Sequence, residues 1–237
     1  MAPLDGYSAT AVLGINDPGV MVGSVTSLDE TMRSGFIRDR KGNITVFDHP
    51  DAVSFTNPRG VNNKGLVTGF RDDLNVINVG FIYDPKSDTF TDLNPTSFFT
   101  IAQGINSKGE VVGSSNFIAA NDPCPSLGNP FLRYGWLRAT DGTVTYFEVN
   151  GSHTSARGIN DEGSVAGFFI DPNDGKFKGF KVNLDGSACQ SLTVAGGDVL
   201  EFPGAEATFL GGITNAGDIV GSYDDVSNTH GFIATPQ

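Results

Sequence analysis

One ten-residue phrase occurs five times in this chain: GINDPGVMVG from Gly14, GVNNKGLVTG from Gly60, GINSKGEVVG from Gly104, GINDEGSVAG from Gly158 and GITNAGDIVG from Gly212. The copies start 46, 44, 54 and 54 residues apart, a period that belongs to propellers and solenoids. A Thr stands four positions before each opening Gly, at Thr10, Thr56, Thr100, Thr154 and Thr208. Further on, each copy carries a Gly followed by an aromatic residue: Phe36, Phe81, Trp136, Phe180 and Phe232. After most of these comes a turn such as RKGN or TDGT, then a β-rich segment such as ITVFD or VTYFEV.

Each unit thus reads as four short antiparallel strands. The first strand ends in a four-residue turn whose closing Gly (Gly19, Gly65, Gly109, Gly163, Gly217) is expected to take positive φ. The corner Asn (Asn16, Asn62, Asn106, Asn160) is expected to bond its own backbone two residues on, which accounts for it without a ligand. Helical i, i+3, i+4 patterning is missing throughout. Four strands in about 45 residues is the arithmetic of a propeller blade. The spacing predicts an all-β, five-bladed β-propeller of four-stranded antiparallel blades, one domain over residues 1–237. The final copy has room for three strands only, so the N-terminal segment is expected to complete the C-terminal blade and close the ring.

The run FPGAEATFLGGITNAGDIVGSYDDVSNTHGF, Phe202 to Phe232, resembles the bacterial extracellular HAF-type repeat proteins. Their loose consensus is Pro-Gly-Ala, a Thr, G-I-N-x-x-G-x-I-V-G and a later H-G-F, and the likeness extends over essentially the whole chain. The resemblance implies a propeller and an exported, secreted or periplasmic protein; it implies no reaction. Only the fifth copy keeps the His of H-G-F, His230; Ser34, Val79, Tyr134 and Lys178 take that place elsewhere.

Composition removes several functions. The net charge is −12, so phosphate-backbone attraction is absent and nucleic acid is not an expected partner. No run of about 18 apolar residues suggests membrane insertion, and MAPLDGYSAT lacks the basic and apolar regions of a signal segment. No G-x-S-x-G, G-x-G or H-E-x-x-H motif is present. The three His (His49, His153, His230) occupy different repeat positions, so no metal centre is expected. No cofactor is expected either; calcium is the one ion that the loop-tip pairs Asp72-Asp73 and Asp224-Asp225 would suit, although turn chemistry also accounts for them.

Departures from the repeat are where function is expected. The residue before the repeated Thr is Ala9, Phe55, Phe99, His153 or Ala207, and three positions after it come Leu13, Arg59, Gln103, Arg157 or Gly211. With this strand innermost, Arg59, Gln103 and Arg157 are expected near the axis and His153 at one mouth. His49 and Glu206 lie in crossovers feeding the same mouth. Such a cluster suits an anionic or polyhydroxylated ligand, with Arg offering a fork to a carboxylate; pairing with backbone and water in a wet axis is the alternative. In the third repeat the loop Ser115 to Tyr134 is unusually long, and Phe117, Phe131, Tyr134 and Trp136 are candidates for an apolar platform or for packing on their own blade. The insertion NLDGSACQSLTVAGGDV in the fourth repeat is expected at the opposite face, which argues against a Cys124–Cys189 bond.

Three functions follow. An exported propeller binding a small polar or glycan ligand at the channel mouth is favoured, with Phe55, Phe99, Gln103, Tyr134 and Trp136 as contacts. A hydrolase, lyase or isomerase would draw on Asp48, Glu148 and Glu206 as carboxylates, or on His153 as base beside Arg59 or Arg157. A surface scaffold without a ligand is the third.

Overall fold

The computed structural model describes residues 4–74, 78–93, 99–117, 122–127, 132–194 and 198–236. They fall into two compact units, Met1–Gly109 and Glu110–Gln237. In the first unit the opening repeat gives β1 (Tyr7–Ile15), β2 (Met21–Ser27), β3 (Arg33–Arg38) and β4 (Ile44–Phe47). The second repeat gives β5 (Thr56–Val61), β6 (Val67–Arg71), β7 (Val79–Asp84) and β8 (Thr89–Leu93), and β9 (Phe99–Ile105) completes the unit. Both sheets follow chain order, β1-β2-β3-β4 and β5-β6-β7-β8.

The second unit holds β10 (Val111–Asn116), β11 (Arg133–Arg138), β12 (Val144–Val149), β13 (Thr154–Ile159), β14 (Ser164–Ile170) and β15 (Phe177–Asn183). It continues with β16 (Cys189–Leu192), β17 (Val199–Leu200), β18 (Ala207–Ile213), β19 (Ile219–Asp224) and β20 (Thr229–Ala234). Strands β13-β14-β15-β17 form the fourth blade and β18-β19-β20 the fifth. The fold is all-β, of the five-bladed propeller class read from the repeat. Among the described residues the fifth sheet has three strands. Leu4 donates its N–H to Thr10 Oγ1 at 2.9 Å and Tyr7 donates to the Leu4 carbonyl at 3.0 Å. The same clasp ties the crossover after a fourth strand to the repeated Thr in other repeats, as in Phe202 to Thr208. Residues 1–3, the part of the N-terminal segment expected to complete the C-terminal blade, lie outside the described residues.

The repeated phrase folds as its chemistry dictates. Gly19, Gly65, Gly109, Gly163 and Gly217 have φ between 84° and 101°, and each donates to the carbonyl at the turn's first corner at 2.9–3.1 Å. The Asn side chains accept local N–H groups, as in Lys64 to Asn62 Oδ1 at 3.0 Å. They also do something the sequence did not disclose. Asn16 Nδ2 reaches the Asn62 carbonyl at 2.8 Å, and Asn62 Nδ2 reaches the Asn106 carbonyl at 3.0 Å. In the second unit Asn160 Nδ2 reaches the Thr214 carbonyl at 3.3 Å. One residue later, Asp17 exchanges two hydrogen bonds with Asn63, and Asp161 exchanges two with Asn215. Neighbouring repeats are thus stapled through polar turns as well as apolar faces.

The repeated Thr clasps the crossover that precedes it. Thr56, Thr154 and Thr208 accept from the backbone N–H of His49, Val149 and Phe202 at 2.8–3.0 Å, satisfying donors that strand pairing leaves over. The Gly closing the phrase permits close strand approach: a Cβ on Gly167 would lie 2.1 Å from the Ser155 carbonyl oxygen. Apolar cores fill between sheets. Val22, Phe47, Val61, Val67, Phe81 and Tyr83 form one in the first unit, while Phe147, Ile159, Val165, Phe169 and Phe180 belong to another in the second.

One further device positions side chains. Strand pairing slips by one residue between Pro58 and Gly60 and between Ala156 and Gly158, leaving Arg59 and Arg157 as the extra residues of β-bulges. A bulge re-aims the residue it adds. The arginines singled out by the repeat comparison are therefore bulge residues.

Candidate functional site

In the second unit, His153 lies at the rim of a cavity of about 250 Å³ lined by residues of β10, β11, β13, β14 and β15. Its polar wall is Asn116, Arg133 and His153; Phe168, Ile170 and Phe177 form the apolar side. Arg133 Nε donates to Asn116 Oδ1 at 3.2 Å, which orients the guanidinium. The Arg133 backbone N–H donates to His153 Nδ1 at 3.0 Å, so the ring proton sits on Nε2. Burial, and secondarily the Arg133 charge, hold His153 below the ordinary histidine range. At neutral pH its imidazole is uncharged and presents an N–H donor. The Arg157 guanidinium lies 4.9 Å from the centroid of the Phe168 ring, a cation–π contact. Phe168 and Phe177 meet edge to face at 5.8 Å, and both touch Phe209 at 5.1 Å.

Other expectations are corrected. Tyr134 and Trp136 are 0 % exposed, and Tyr134 packs with Phe117 and Leu132. Fully buried rings cannot stack on a ligand, so packing of the loop onto its own blade is what occurs; Phe131 lies outside the described residues. The Cys124–Cys189 disulfide is formed, with Cα atoms 5.7 Å apart. The insertion does not remain a hairpin on the far face. Its β16 pairs in parallel with β12, Tyr146 opposite Cys189, and so becomes an outer strand beside the Cys124 loop.

His49 is not at a mouth. It is 4 % exposed, edge-on to Phe90 at 4.5 Å, with Nε2 3.2 Å from Asp92 Oδ1. Arg71 holds the other Asp92 oxygen at 2.7 Å and Asp73 at 3.2 Å. Ligand atoms of His49, Asp51 and Asp92 lie within 4.8 Å of one another, a grouping the sequence did not reveal. Its chemistry disfavours a cation: Nδ1 already accepts the Asp51 N–H at 3.1 Å, placing the proton on Nε2, and a guanidinium occupies Asp92. Burial works to raise the Asp92 carboxyl, but His49 and Arg71 outweigh it and bring it down to about 2. A depressed carboxylate stabilises the fold above its unfolded pKa of about 4. That contribution is expected to fade as pH falls from about 4 towards 2, and Asp92→Asn should flatten the dependence of Tm on pH across this window.

Glu206 pairs with Lys176 at 3.1 Å on the surface. Glu148 is buried, accepting the Gly151 N–H and the Ser191 hydroxyl, while Asp48 accepts from Ser34 at 3.1 Å. Each carboxylate is engaged locally. Phe55 packs edge-on to Phe70 at 5.6 Å, half-buried Phe99 bridges to Asn78, and Gln103 is buried on β9. The loop-tip acids are likewise in use. Asp72 accepts three backbone N–H groups from Val53 to Phe55, and Asp225 accepts from Ser227, Asn228 and His230. What the repeat comparison missed is Arg133 and its counterpart Arg33, each two residues before the Gly-aromatic pair in only two of the five copies.

No family model matches this chain, and no curated protein matches it. Among solved structures it is similar to an inactive virginiamycin B lyase from Staphylococcus aureus determined with quinupristin, at 16% identity and TM-score 0.49, covering 99% of this chain and 74% of that one. It is also similar to a gluconolactonase-like protein at 12% identity and TM-score 0.47, covering 98% and 80%. A third is the acylaminoacyl peptidase of Pyrococcus horikoshii, at 9% and 0.47, covering 97% and 45%.

Proposed function

We propose that this protein binds a small anionic ligand with an apolar ring face, such as an acidic sugar, in the cavity bounded by Arg133 and His153. The observation that carries this reading is the juxtaposition of a cationic and N–H-donating wall with the rings of Phe168 and Phe177. Arg supplies charge and a planar fork for an oxyanion, and an aromatic face supplies stacking area. Catalysis by His153 as general base is less well supported. Its Nε2 carries the proton, and Nδ1 is occupied by the Arg133 N–H. It is set up to donate rather than to abstract.

Export is part of the same reading. A disulfide is present and no helix among the described residues is long and apolar enough to cross a membrane; disulfides persist mainly in oxidising compartments. The resemblance to HAF-type repeats points the same way.

Calorimetry and thermal shift with glucuronate, galacturonate, a sulfated monosaccharide, benzoate and glucose test the proposal. An acidic ligand at 100 times its Kd is expected to add about 2.7 kcal/mol to stability. Arg133→Gln should weaken binding at least tenfold, and His153→Ala by less. Binding of glucose alone, indifferent to both substitutions, would overturn the anionic reading. Silence across the panel would favour the scaffold.

A further inference from the structure

The first unit has a cavity of its own, about 230 Å³, lined by residues of β1, β2, β3 and β5. It shares repeat positions with the cavity in the second unit. Arg33 stands where Arg133 stands, Thr26 where Asn116 stands, and Asn57 where Ser155 stands. Arg59, like Arg157, is a bulge residue, and its guanidinium lies 5.2 Å from the centroid of the Phe70 ring, as that of Arg157 does over Phe168.

The charge balance of this cavity is unusual. The chain has 27 acidic and 15 basic residues, yet the lining holds two arginines and no carboxylate. Among the described residues no carboxylate lies within ion-pair distance of Arg33 or Arg59. The Arg59 Nε is buried without a hydrogen-bond partner. Asn57 is 4 % exposed, and its Oδ1 also lacks a partner. Amide oxygen and nitrogen are exchanged by a half-turn of the side chain, and that rotation would present two N–H donors to an acceptor. Burial, then repulsion from Arg33, push the Arg59 guanidinium below its ordinary value. Two cations and an unmatched amide facing one small cavity describe a site prepared for negative charge.

We propose that the first unit binds a compact oxyanion group, a carboxylate, sulfate or phosphate, between Arg33 and Arg59 with Asn57 as an additional donor. This is a second site, independent of the cavity at His153. At about 230 Å³ it is smaller than the roughly 300–1,000 Å³ of drug-sized pockets, so its ligand is one anionic group on a small scaffold. Arg33 is exposed at the opening while Arg59 lies deeper, so the ligand enters past Arg33.

The test uses the full chain, with the side-chain resonances of the Arg59 Nε–H and the Asn57 amide followed by NMR during titration with sodium sulfate, phosphate, acetate and glucuronate. Sodium chloride at matched ionic strength is the control. Saturable shifts at both groups are expected with at least one oxyanion and not with chloride; whether the tetrahedral anions or the carboxylates saturate identifies the class. Thermal denaturation of Arg33→Gln gives the second readout. Without oxyanion its Tm should equal or exceed that of the parent, because a like charge has been removed, and the stabilisation by oxyanion should fall at least tenfold in apparent affinity. Equal responses to chloride and oxyanion would overturn the proposal, as would a lower Tm for Arg33→Gln with undiminished oxyanion affinity. Arg133→Gln separates the two sites. A response that vanishes in Arg133→Gln and survives in Arg33→Gln belongs to the His153 cavity alone, which sinks this inference and leaves the proposed function standing.

Discussion

Replacing Cys124 and Cys189 together by serine is expected to lower the unfolding free energy by about 4 kcal/mol. The bond joins positions 65 residues apart within the second unit. Closing a loop of that length removes chain entropy from the unfolded state, and the loop-closure relation gives about 4 kcal/mol at 25 °C. For a chain of this size such a loss lowers Tm by roughly 8–16 °C. The folded state adds its own dependence. Cys124 is completely buried beside a 3₁₀ turn at Pro125–Leu127, and Cys189 opens β16, a four-residue strand held on one side by β12. Reduction should therefore loosen the outer edge of the third blade first. Hydrogen exchange with and without reductant reads this directly, with amides of β16 losing protection before those of β13 and β14. Unchanged protection and an unchanged Tm would mean that strand pairing alone fixes this edge.

The second large effect is expected at Trp136. Its side chain is fully buried, and Trp136→Ala should cost about 3–5 kcal/mol by the usual sum of lost burial and cavity formation. Trp136→Phe should cost much less. The equivalent residue in the other four repeats is Phe36, Phe81, Phe180 or Phe232, and the indole Nε1 has no hydrogen-bond partner among the described residues. A phenyl ring thus removes a donor that the fold leaves unmatched. Chemical denaturation of both variants measures the contrast. A ligand-stacking Trp would behave otherwise, with Trp136→Ala abolishing binding while stability held.

These two cases show where a repeat sequence is legible and where it is not. Thr, Gly and Asn recur because each answers a local demand: a crossover donor, a positive φ, a turn corner. Local demands are written at fixed offsets, so the blades and their strand order could be read directly. The cysteines lie in insertions, which have no equivalent in the other copies to calibrate them. Nothing at Cys189 announces that its segment will add in parallel to β12. Tyr134 and Trp136 misled for a related reason. A long loop containing aromatics suggests a platform, but the Gly-aromatic position is buried at Phe36, Phe81, Trp136 and Phe180 and partly buried at Phe232, and that offset was the better guide for Trp136. The arginines were half legible. Arg59 and Arg157 stood out as departures from the repeat, whereas Arg33 and Arg133 sit at an offset that holds Asn78, Phe177 or Thr229 in the other copies, and only the folded geometry brings Arg33 to one cavity with Arg59 and Arg133 to one with His153.

The amide relay between turns has a direction, and this bears on how such a chain can grow. Asn16 hands its N–H to the next repeat, Asn62 hands on to Asn106, and Asn160 hands on to residue 214. There the residue is Thr, whose hydroxyl accepts from Asp218 and which has no amide to pass forward. A duplicated repeat inserted ahead of Thr214 would arrive carrying both halves of the joint, a carbonyl to receive and an amide to give. One appended after it would meet a terminator. A designer lengthening this protein would do well to insert rather than append, or to restore the relay first with Thr214→Asn.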